Sequence, residues 1–170
     1  MIRSGLMKPQ RRQKNQFEDA DDYQGAPELI RLLADIVSKN GNLLLNVGPC
    51  ADGSLHPAQV AALEGIGSWL GVNGAAIYGT RPWQRYGDCA PDGGEVRYTT
   101  KNGALYAIVV QLPAQGKLQL PPDVPPEATL LANGERLPVE RVEQGIAVKL
   151  PDDLRADSIP VIRFRSSISS

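Results

Sequence analysis

The sequence predicts an α/β unit in its first half and an all-β antiparallel sandwich in its second half. Apolar residues repeat with helical spacing before about residue 80, and a short uninterrupted apolar run lies between the two helical segments. Beyond Tyr78, short strand-like segments alternate with turns that contain glycine and proline. We therefore expect two domains, residues 1–80 and residues 81–170.

The composition is that of an ordinary globular protein. The 170 residues include 18 Lys and Arg against 19 Asp and Glu, with 42% hydrophobic and 22% charged residues. A net charge of −1 argues against nucleic acid or an anionic membrane as a partner. No apolar run reaches the roughly 18 residues that a membrane span needs. The basic segment from Met1 to Lys14 lacks the apolar stretch of a secretory signal peptide.

Two helices are predicted in the first half. Pro27 suits the first turn of a helix, and apolar residues follow from Leu29 with helical spacing. The pair Asn40-Gly41 is a good stop signal because both residues tolerate a positive φ. A second helix is expected from Pro57 to Asn73.

Residues 42–47, with the sequence Asn-Leu-Leu-Leu-Asn-Val, form the apolar run between these helices. The absence of alternation is typical of a parallel strand that is buried on both faces. Burial of its apolar side chains would contribute about 1.5–3 kcal/mol each. Two helices cannot cover both faces and both edges of such a strand. We therefore expect the neighbouring strands to come from another chain or from a longer form of this one.

The second half contains about seven predicted strands. Lys101-Asn102-Gly103 is a strong hairpin turn, and Pro113, Pro138 and Pro160 are expected at strand ends or sheet edges. Short strands at this spacing indicate an antiparallel sandwich. The predicted strands are residues 95–99, 104–110, 117–120, 128–131, 137–142, 146–150 and 159–164.

Several polar features have both a functional and a plain structural interpretation. The loop at residues 48–53 lacks the Lys-Ser/Thr pair of a nucleotide-binding loop. Cys50 is expected to be an inert thiol, and His56 to be a helix cap or a surface group. The two cysteines and one histidine have no metal-binding spacing. The acidic run at residues 18–22 is either a solvated loop or the source of a general acid, and its spacing does not choose between these.

A longer pattern resembles a known family. The stretch from about Asn15 to Trp83 resembles the end of the catalytic barrel in bacterial-type α-L-fucosidases, and residues 95–165 resemble the C-terminal domain of that family more loosely. The segments that carry the resemblance are Glu28–Pro49, Ala51–Gly53, Ile66-Gly67, Trp69-Leu70, Asn73-Gly74 and Ala76–Trp83.

This resemblance implies a (β/α)8-type barrel, incomplete in this chain, whose last strand is residues 42–47. It also implies hydrolysis of terminal α-L-fucose from fucosylated glycans or fucosides with retention of configuration. An aspartate nucleophile and a glutamate acid/base would act in two steps through a covalent fucosyl intermediate. No metal or organic cofactor is implied.

The resemblance also suggests two site residues. Asn15-Gln16-Phe17-Glu18, followed by Asp22-Tyr23, fits the spacing around the family's acid/base glutamate, which makes Glu18 the candidate. Leu43 occupies the position of a pocket aromatic that faces the methyl group of the sugar. Leu43 is therefore either an apolar contact to fucose or part of the barrel core.

The chain also departs from the family pattern. Arg11-Arg12-Gln13-Lys14 stands where an aromatic-Gly-Tyr segment is expected, and about six earlier barrel strands are missing together with the nucleophile. We therefore expect this chain to be inactive alone and to require the missing N-terminal barrel portion. A truncated gene, a split gene or a misassigned start would each explain this. The compartment is left open, although a secreted or periplasmic parent is compatible with the resemblance.

A second hypothesis makes the chain a non-catalytic module. Its β-sandwich would then bind carbohydrate or serve a structural role. Trp83, Tyr86, Tyr98 and Tyr106 are the candidate sugar-stacking aromatics, although Tyr98 and Tyr106 are expected to pack across the hairpin instead.

Overall fold

The computed structural model describes residues 23–90 and 93–165. These residues form two α-helices, α1 (Ala26–Ser38) and α2 (Pro57–Asn73), a 3₁₀ turn (Gly74–Ala76) and eight β-strands. Within the described ranges, neither helix is long and apolar enough to cross a membrane. The strands are β1 (Arg81–Cys89), β2 (Glu95–Lys101), β3 (Ala104–Gln111), β4 (Lys117–Leu120), β5 (Glu127–Leu130), β6 (Val139–Val142), β7 (Gly145–Lys149) and β8 (Val161–Arg165).

The two helices begin and end where the sequence predicts. Each has a proline in its first turn. After α1, Asn40 adopts a φ of 63° and the backbone N–H of Gly41 donates to the carbonyl of Ile36 at 2.8 Å. The left-handed conformation of Asn40 allows this hydrogen bond to a carbonyl at the end of the helix and turns the chain away from the helix.

The strand predicted at residues 42–47 is not formed. No strand is assigned between α1 and α2, where the described residues show only an isolated bridge between Pro49 and Leu55. Leu44 is 59% exposed and Val47 is 40% exposed, so the run is not buried on both faces. A strand is defined by hydrogen bonds to a neighbouring backbone, and no described residue supplies that neighbour.

The predicted antiparallel sandwich is present in the second half. A five-stranded sheet has the order β1-β2-β3-β8-β5, and a three-stranded sheet has the order β4-β7-β6. All strand pairs are antiparallel. The predicted hairpin joins β2 to β3, with φ values of 52° at Asn102 and 74° at Gly103. Strand β6 begins at Val139, immediately after Pro138.

Two cores give the described part of the chain three layers. The first core lies between the sheets and includes the fully buried Tyr98, Leu118 and Phe164. The second lies between the outer face of the five-stranded sheet and the helices, with Ile30 of α1 against Ile108 of β3. The helices therefore cover one face of the sandwich.

Hydrogen bonds fix the helical layer on the sheet. The Nε of Arg31 in α1 donates to the carbonyl of Val110, and the indole N–H of Trp69 in α2 donates to the carbonyl of Ile159, both at 2.8 Å. The hydroxyl of the buried Thr99 donates to the carbonyl of Ala76 at 2.7 Å. These contacts connect both helices and the following turn to the strands.

Candidate functional site

Of the two site residues predicted from the sequence, the structure describes only Leu43. Glu18 lies outside the described residues, so its proposed role stays a prediction. Leu43 follows α1 and is half-buried. Leu43 does not line the apolar cleft between the helices, although Leu45 and Val47 of the same segment do.

This apolar cleft is lined by residues of α1, of α2 and of the segment that connects them. Its lining includes the buried Leu29 of α1 and the buried Ala62 of α2. The remaining lining residues are Tyr23, Gln24, Leu45, Asn46, Val47, Gln59 and Leu63. The cleft brings together the beginning of the described chain, residues 45–47 and the first half of α2.

Gln59 is a residue of the cleft that the sequence analysis did not single out. Its side chain lines the cleft and is only 5% exposed. Neither its amide nitrogen nor its amide oxygen has a hydrogen-bond partner among the described residues. Buried amides are nearly always hydrogen-bonded, because leaving one unpaired costs about 1–3 kcal/mol. Only the presence of a glutamine in an apolar helix could have pointed to it in the sequence.

The loop between residues 48 and 56 is held by its own hydrogen bonds. The N–H of Cys50 donates to the carbonyl of Ser54 at 2.7 Å, and the N–H of Gly53 donates to the carbonyl of Cys50 at 2.9 Å. The carboxylate of Asp52 accepts from both the N–H and the hydroxyl of Ser54, at 2.9 and 2.6 Å. These hydrogen bonds lower the pKa of Asp52, so this exposed carboxylate stays ionised.

His56 is a helix cap, as the sequence predicts. Its Nδ1 accepts a hydrogen bond from the N–H of Ala58 at 3.2 Å at the start of α2. The imidazole ring also stacks on Tyr23, with ring centroids 4.8 Å apart and an interplanar angle of 14°. Since Nδ1 is the acceptor, the proton of the neutral ring is assigned to Nε2. His56 therefore orders the loop and the first turn of α2.

No metal-binding cluster of His, Cys, Asp and Glu occurs in the part of the chain that the structure describes. Cys50 is half-buried and Cys89 is exposed, and both are free thiols.

The structure does not bring the four candidate sugar-stacking aromatics together on one surface. Tyr98 is fully buried in the core between the sheets, and Tyr106 is 7% exposed in the core under the helices. The two tyrosines are therefore on opposite faces of the sheet. Trp83 packs edge-on against Tyr98 at 4.9 Å. Tyr86 is exposed, but Lys39 lies 4.8 Å from the centre of its ring.

A family model described as α-L-fucosidase matches residues 11–75. An α-L-fucosidase of Branchiostoma floridae is 41% identical over 134 residues, which cover 76% of this chain and 29% of that protein. The human plasma α-L-fucosidase is 41% identical over 138 residues, again 76% of this chain and 29% of that protein. The chain therefore spans about three tenths of the length of these relatives.

Solved structures agree with the sequence matches. The Thermotoga maritima α-fucosidase superimposes with a TM-score of 0.77 at 33% identity, covering 95% of this chain and 38% of that one. The α-L-fucosidase isoenzyme 1 of Paenibacillus thiaminolyticus gives a TM-score of 0.71 at 32% identity, covering 85% of this chain and 35% of that one. The chain is therefore similar to a C-terminal part of the α-L-fucosidases.

Proposed function

We propose that residues 1–80 complete the catalytic barrel of a retaining α-L-fucosidase and that residues 81–170 form its C-terminal sandwich. The complete enzyme would hydrolyse terminal α-L-fucose from fucosylated glycans or fucosides. In this arrangement α1, residues 42–47 and α2 are the last helix, strand and helix of a (β/α)8-type barrel. The observation that carries the proposal is the exposed apolar surface of this segment.

Exposed large apolar side chains are concentrated between α1 and the end of α2. Of the eight such side chains among the described residues, five lie between residues 44 and 72. They are Leu44, Val47, Val60, Leu63 and Val72. Apolar surface on one segment marks a contact that is unmade in the isolated chain. The neighbouring strands and helices of a barrel would cover this surface, and the family model matches the same segment.

The unpaired amide of Gln59 supports the same proposal. It is buried in the cleft that residues 45–47 also line. We infer that the backbone of a neighbouring strand would pass beside this amide in a complete barrel. A backbone N–H or C=O of that strand would pair with the amide, and residues 42–47 would gain the hydrogen bonds that define a strand.

The proposed chemistry assigns Glu18 as the acid/base residue. In the first step Glu18 would protonate the leaving oxygen while an aspartate, supplied by the missing part of the barrel, attacks the anomeric carbon. In the second step Glu18 would take a proton from a water molecule whose oxygen attacks the anomeric carbon. The bond from that carbon to the aspartate then breaks, which releases fucose and restores the aspartate carboxylate. Leu43 would contact the methyl group of the sugar.

The isolated chain should not turn over substrate, because the proposed nucleophile is not part of it. We expect no release of 4-nitrophenol from 4-nitrophenyl α-L-fucoside by the purified chain. Fusion of the preceding part of the Thermotoga maritima α-fucosidase to this chain should produce activity. A purified isolated chain that releases 4-nitrophenol with saturation kinetics would overturn the proposal.

The fused enzyme also tests the role of Glu18. Glu18→Gln should lower kcat on a fucosyl disaccharide by about 10²–10⁴-fold, because the departing sugar needs a proton. The loss should be smaller with the nitrophenyl fucoside, since nitrophenolate leaves readily without protonation. Asp19→Asn, in the same acidic run, is the matched control and should leave both rates nearly unchanged. An equal loss on both substrates would remove Glu18 from the acid role.

A further inference from the structure

A depression at one edge of the five-stranded sheet gathers three arginines. Its lining includes Arg136, Arg163 and Arg165, with Thr129 and Glu127 between them. We name this depression the arginine cleft. It lies outside residues 11–75, the part that matches the fucosidase family model.

The strand register places these side chains on one face. Arg163 of β8 is opposite Thr129 of β5, and Thr129 forms an antiparallel bridge with Arg136. Residues directly opposite each other share a face of the sheet, and adjacent strands are about 4.8 Å apart. The backbones of Arg163 and Arg136 are therefore about 10 Å apart, with the smaller threonine between them. Arg165 is two residues along β8 and lies on the same face.

This face is the outer one. The alternate residues of β8, Ile162 and Phe164, are fully buried in the core between the sheets. The arginines therefore face away from that core, where their long side chains can converge over Thr129.

The positive charge of the arginine cleft is not neutralised by the protein. Other arginines of the chain are ion-paired, such as Arg97 with Asp35 and Arg85 with Asp88. Within residues 23–90 and 93–165, none of the three cleft arginines forms an ion pair, and this includes pairing with the adjacent Glu127. Three guanidinium groups against one carboxylate leave a local excess of positive charge.

One donor of the cleft is buried and unpaired. The Nε of Arg163 is inaccessible to solvent and has no hydrogen-bond partner among the described residues. A buried charged donor without a partner is costly, so a structure of this kind usually contains an acceptor at that point.

We propose that the arginine cleft binds a tetrahedral oxyanion, namely sulfate or phosphate, either free or as an ester on a sugar. Guanidinium groups bind such anions through paired, charge-assisted hydrogen bonds. Three arginines that approach from strand β8 and from the loop between β5 and β6 match an anion whose oxygens point in several directions. A carboxylate presents only two oxygens in one plane and engages fewer of these donors. The inference does not rest on the proposed fucosidase activity.

The test follows the arginine Nε–H resonances of the isotopically labelled full chain by NMR. Sodium sulfate, glucose 6-sulfate and glucose 6-phosphate are titrated separately at constant ionic strength, with chloride as the balancing anion. We expect a saturable shift of the Arg163 Nε–H signal. If a sugar ester binds more tightly than inorganic sulfate, the ligand of the arginine cleft is an esterified anion. Equal affinity for the ester and for inorganic sulfate identifies the free anion as the ligand.

Exposed members of the cleft provide the variants. Arg136→Gln and Arg165→Gln should each weaken binding about tenfold, which corresponds to one lost charge-assisted hydrogen-bonding group. Arg155→Gln is the control, because Arg155 is exposed and pairs locally with Asp157. Its affinity should stay within about twofold of the unchanged chain. The absence of saturation with all three anions, or equal losses in the Arg155 and cleft variants, would overturn the proposal.

Discussion

Asp35 is the residue that joins the helical layer to the sheet by charge. Its carboxylate accepts hydrogen bonds from Lys39, which follows α1, and from Arg97 of β2, the latter at 2.8 Å. Arg97 also pairs with Glu95 at 2.6 Å, and its side chain is only 14% exposed. Burial alone would raise the pKa of Asp35, but the hydrogen bonds from Lys39 and Arg97 outweigh it and hold that pKa below its ordinary value.

We expect Asp35→Asn to destabilise the chain by about 1 kcal/mol at pH 7, since the pair is partly solvent-screened. The pKa of an aspartate carboxyl in the unfolded chain is near 3.9. Because the pKa of Asp35 is lower in the folded state, its carboxylate stabilises the folded state at pH values above the unfolded pKa. This stabilisation is lost as the pH falls through the folded pKa. Urea unfolding from pH 7 to pH 2 should therefore show the variant and the unchanged chain converging below about pH 4.

Asp152→Asn is the matched control for this experiment. The carboxylate of Asp152 is 87% exposed and lies 3.6 Å from Lys149. Its removal should change the unfolding free energy by less than about 0.5 kcal/mol at every pH. A constant difference between Asp35→Asn and the unchanged chain over the whole pH range would contradict the assigned role of Asp35.

A second prediction for a single residue concerns His56. His56→Ala should cost about 1 kcal/mol, because the N–H of Ala58 loses its acceptor at the start of α2. His56→Asn should retain most of the stability, since asparagine is a strong capping residue. The two variants are compared by urea unfolding, and equal losses in both would show that the ring stacking on Tyr23, rather than the cap, carries the effect.

At the scale of elements, the contact between α1 and α2 depends on a glycine. A Cβ on Gly65 would lie 2.5 Å from the Cβ of Ala26, whereas a Cβ on Gly67 would meet nothing within 4 Å. Gly65 therefore permits the close approach of the two helices, and Gly67 does not serve this purpose.

The two glycines allow a matched comparison within one helix. Gly67→Ala should stabilise the chain by up to about 1 kcal/mol, because alanine is the better helix former. Gly65→Ala gains the same propensity but forces the helices apart, at a cost of about 1–3 kcal/mol. Thermal unfolding should rank Gly67→Ala above the unchanged chain and Gly65→Ala below Gly67→Ala. A higher midpoint for Gly65→Ala than for Gly67→Ala would contradict this packing.

Local signals predicted the elements that depend on local interactions. The prolines at the helix starts, Asn40 after α1 and the Asn102-Gly103 turn act within a few residues, and each is where the sequence placed it. Strand β1 was not predicted, because its polar and aromatic residues do not alternate cleanly and its register shifts between Pro82 and Gly87. Residues 42–47 have the pattern of a buried strand but lack, among the described residues, the partner that would make them one.

The site was less predictable than the fold, because its residues come together only through tertiary contacts. Gln59 and residues 45–47 meet in the apolar cleft, and Arg136 and Arg163 meet across Thr129. Neither of these two arrangements can be predicted from the spacing of the residues along the chain. Glu18 and Leu43 were identified only through resemblance to a family, and no contact among the described residues tests their proposed roles.

At the scale of the whole molecule, the described residues fall into a covered part and an uncovered part. The sandwich buries its core between two sheets, and the helices cover one outer face. In the helical half, the apolar side chains of Leu44, Val47 and Leu63 are exposed. We infer that this uncovered surface is where the remainder of a barrel would pack.

Amide hydrogen exchange of residues 43–47 tests this account most directly. Exchange is measured by NMR or mass spectrometry for the isolated chain and for the chain fused to the preceding part of the Thermotoga maritima α-fucosidase. We expect little protection at these amides in the isolated chain and strong protection in the folded fusion, where strand partners become available. Equal exchange in the two proteins, with the sandwich strands protected in both, would contradict it.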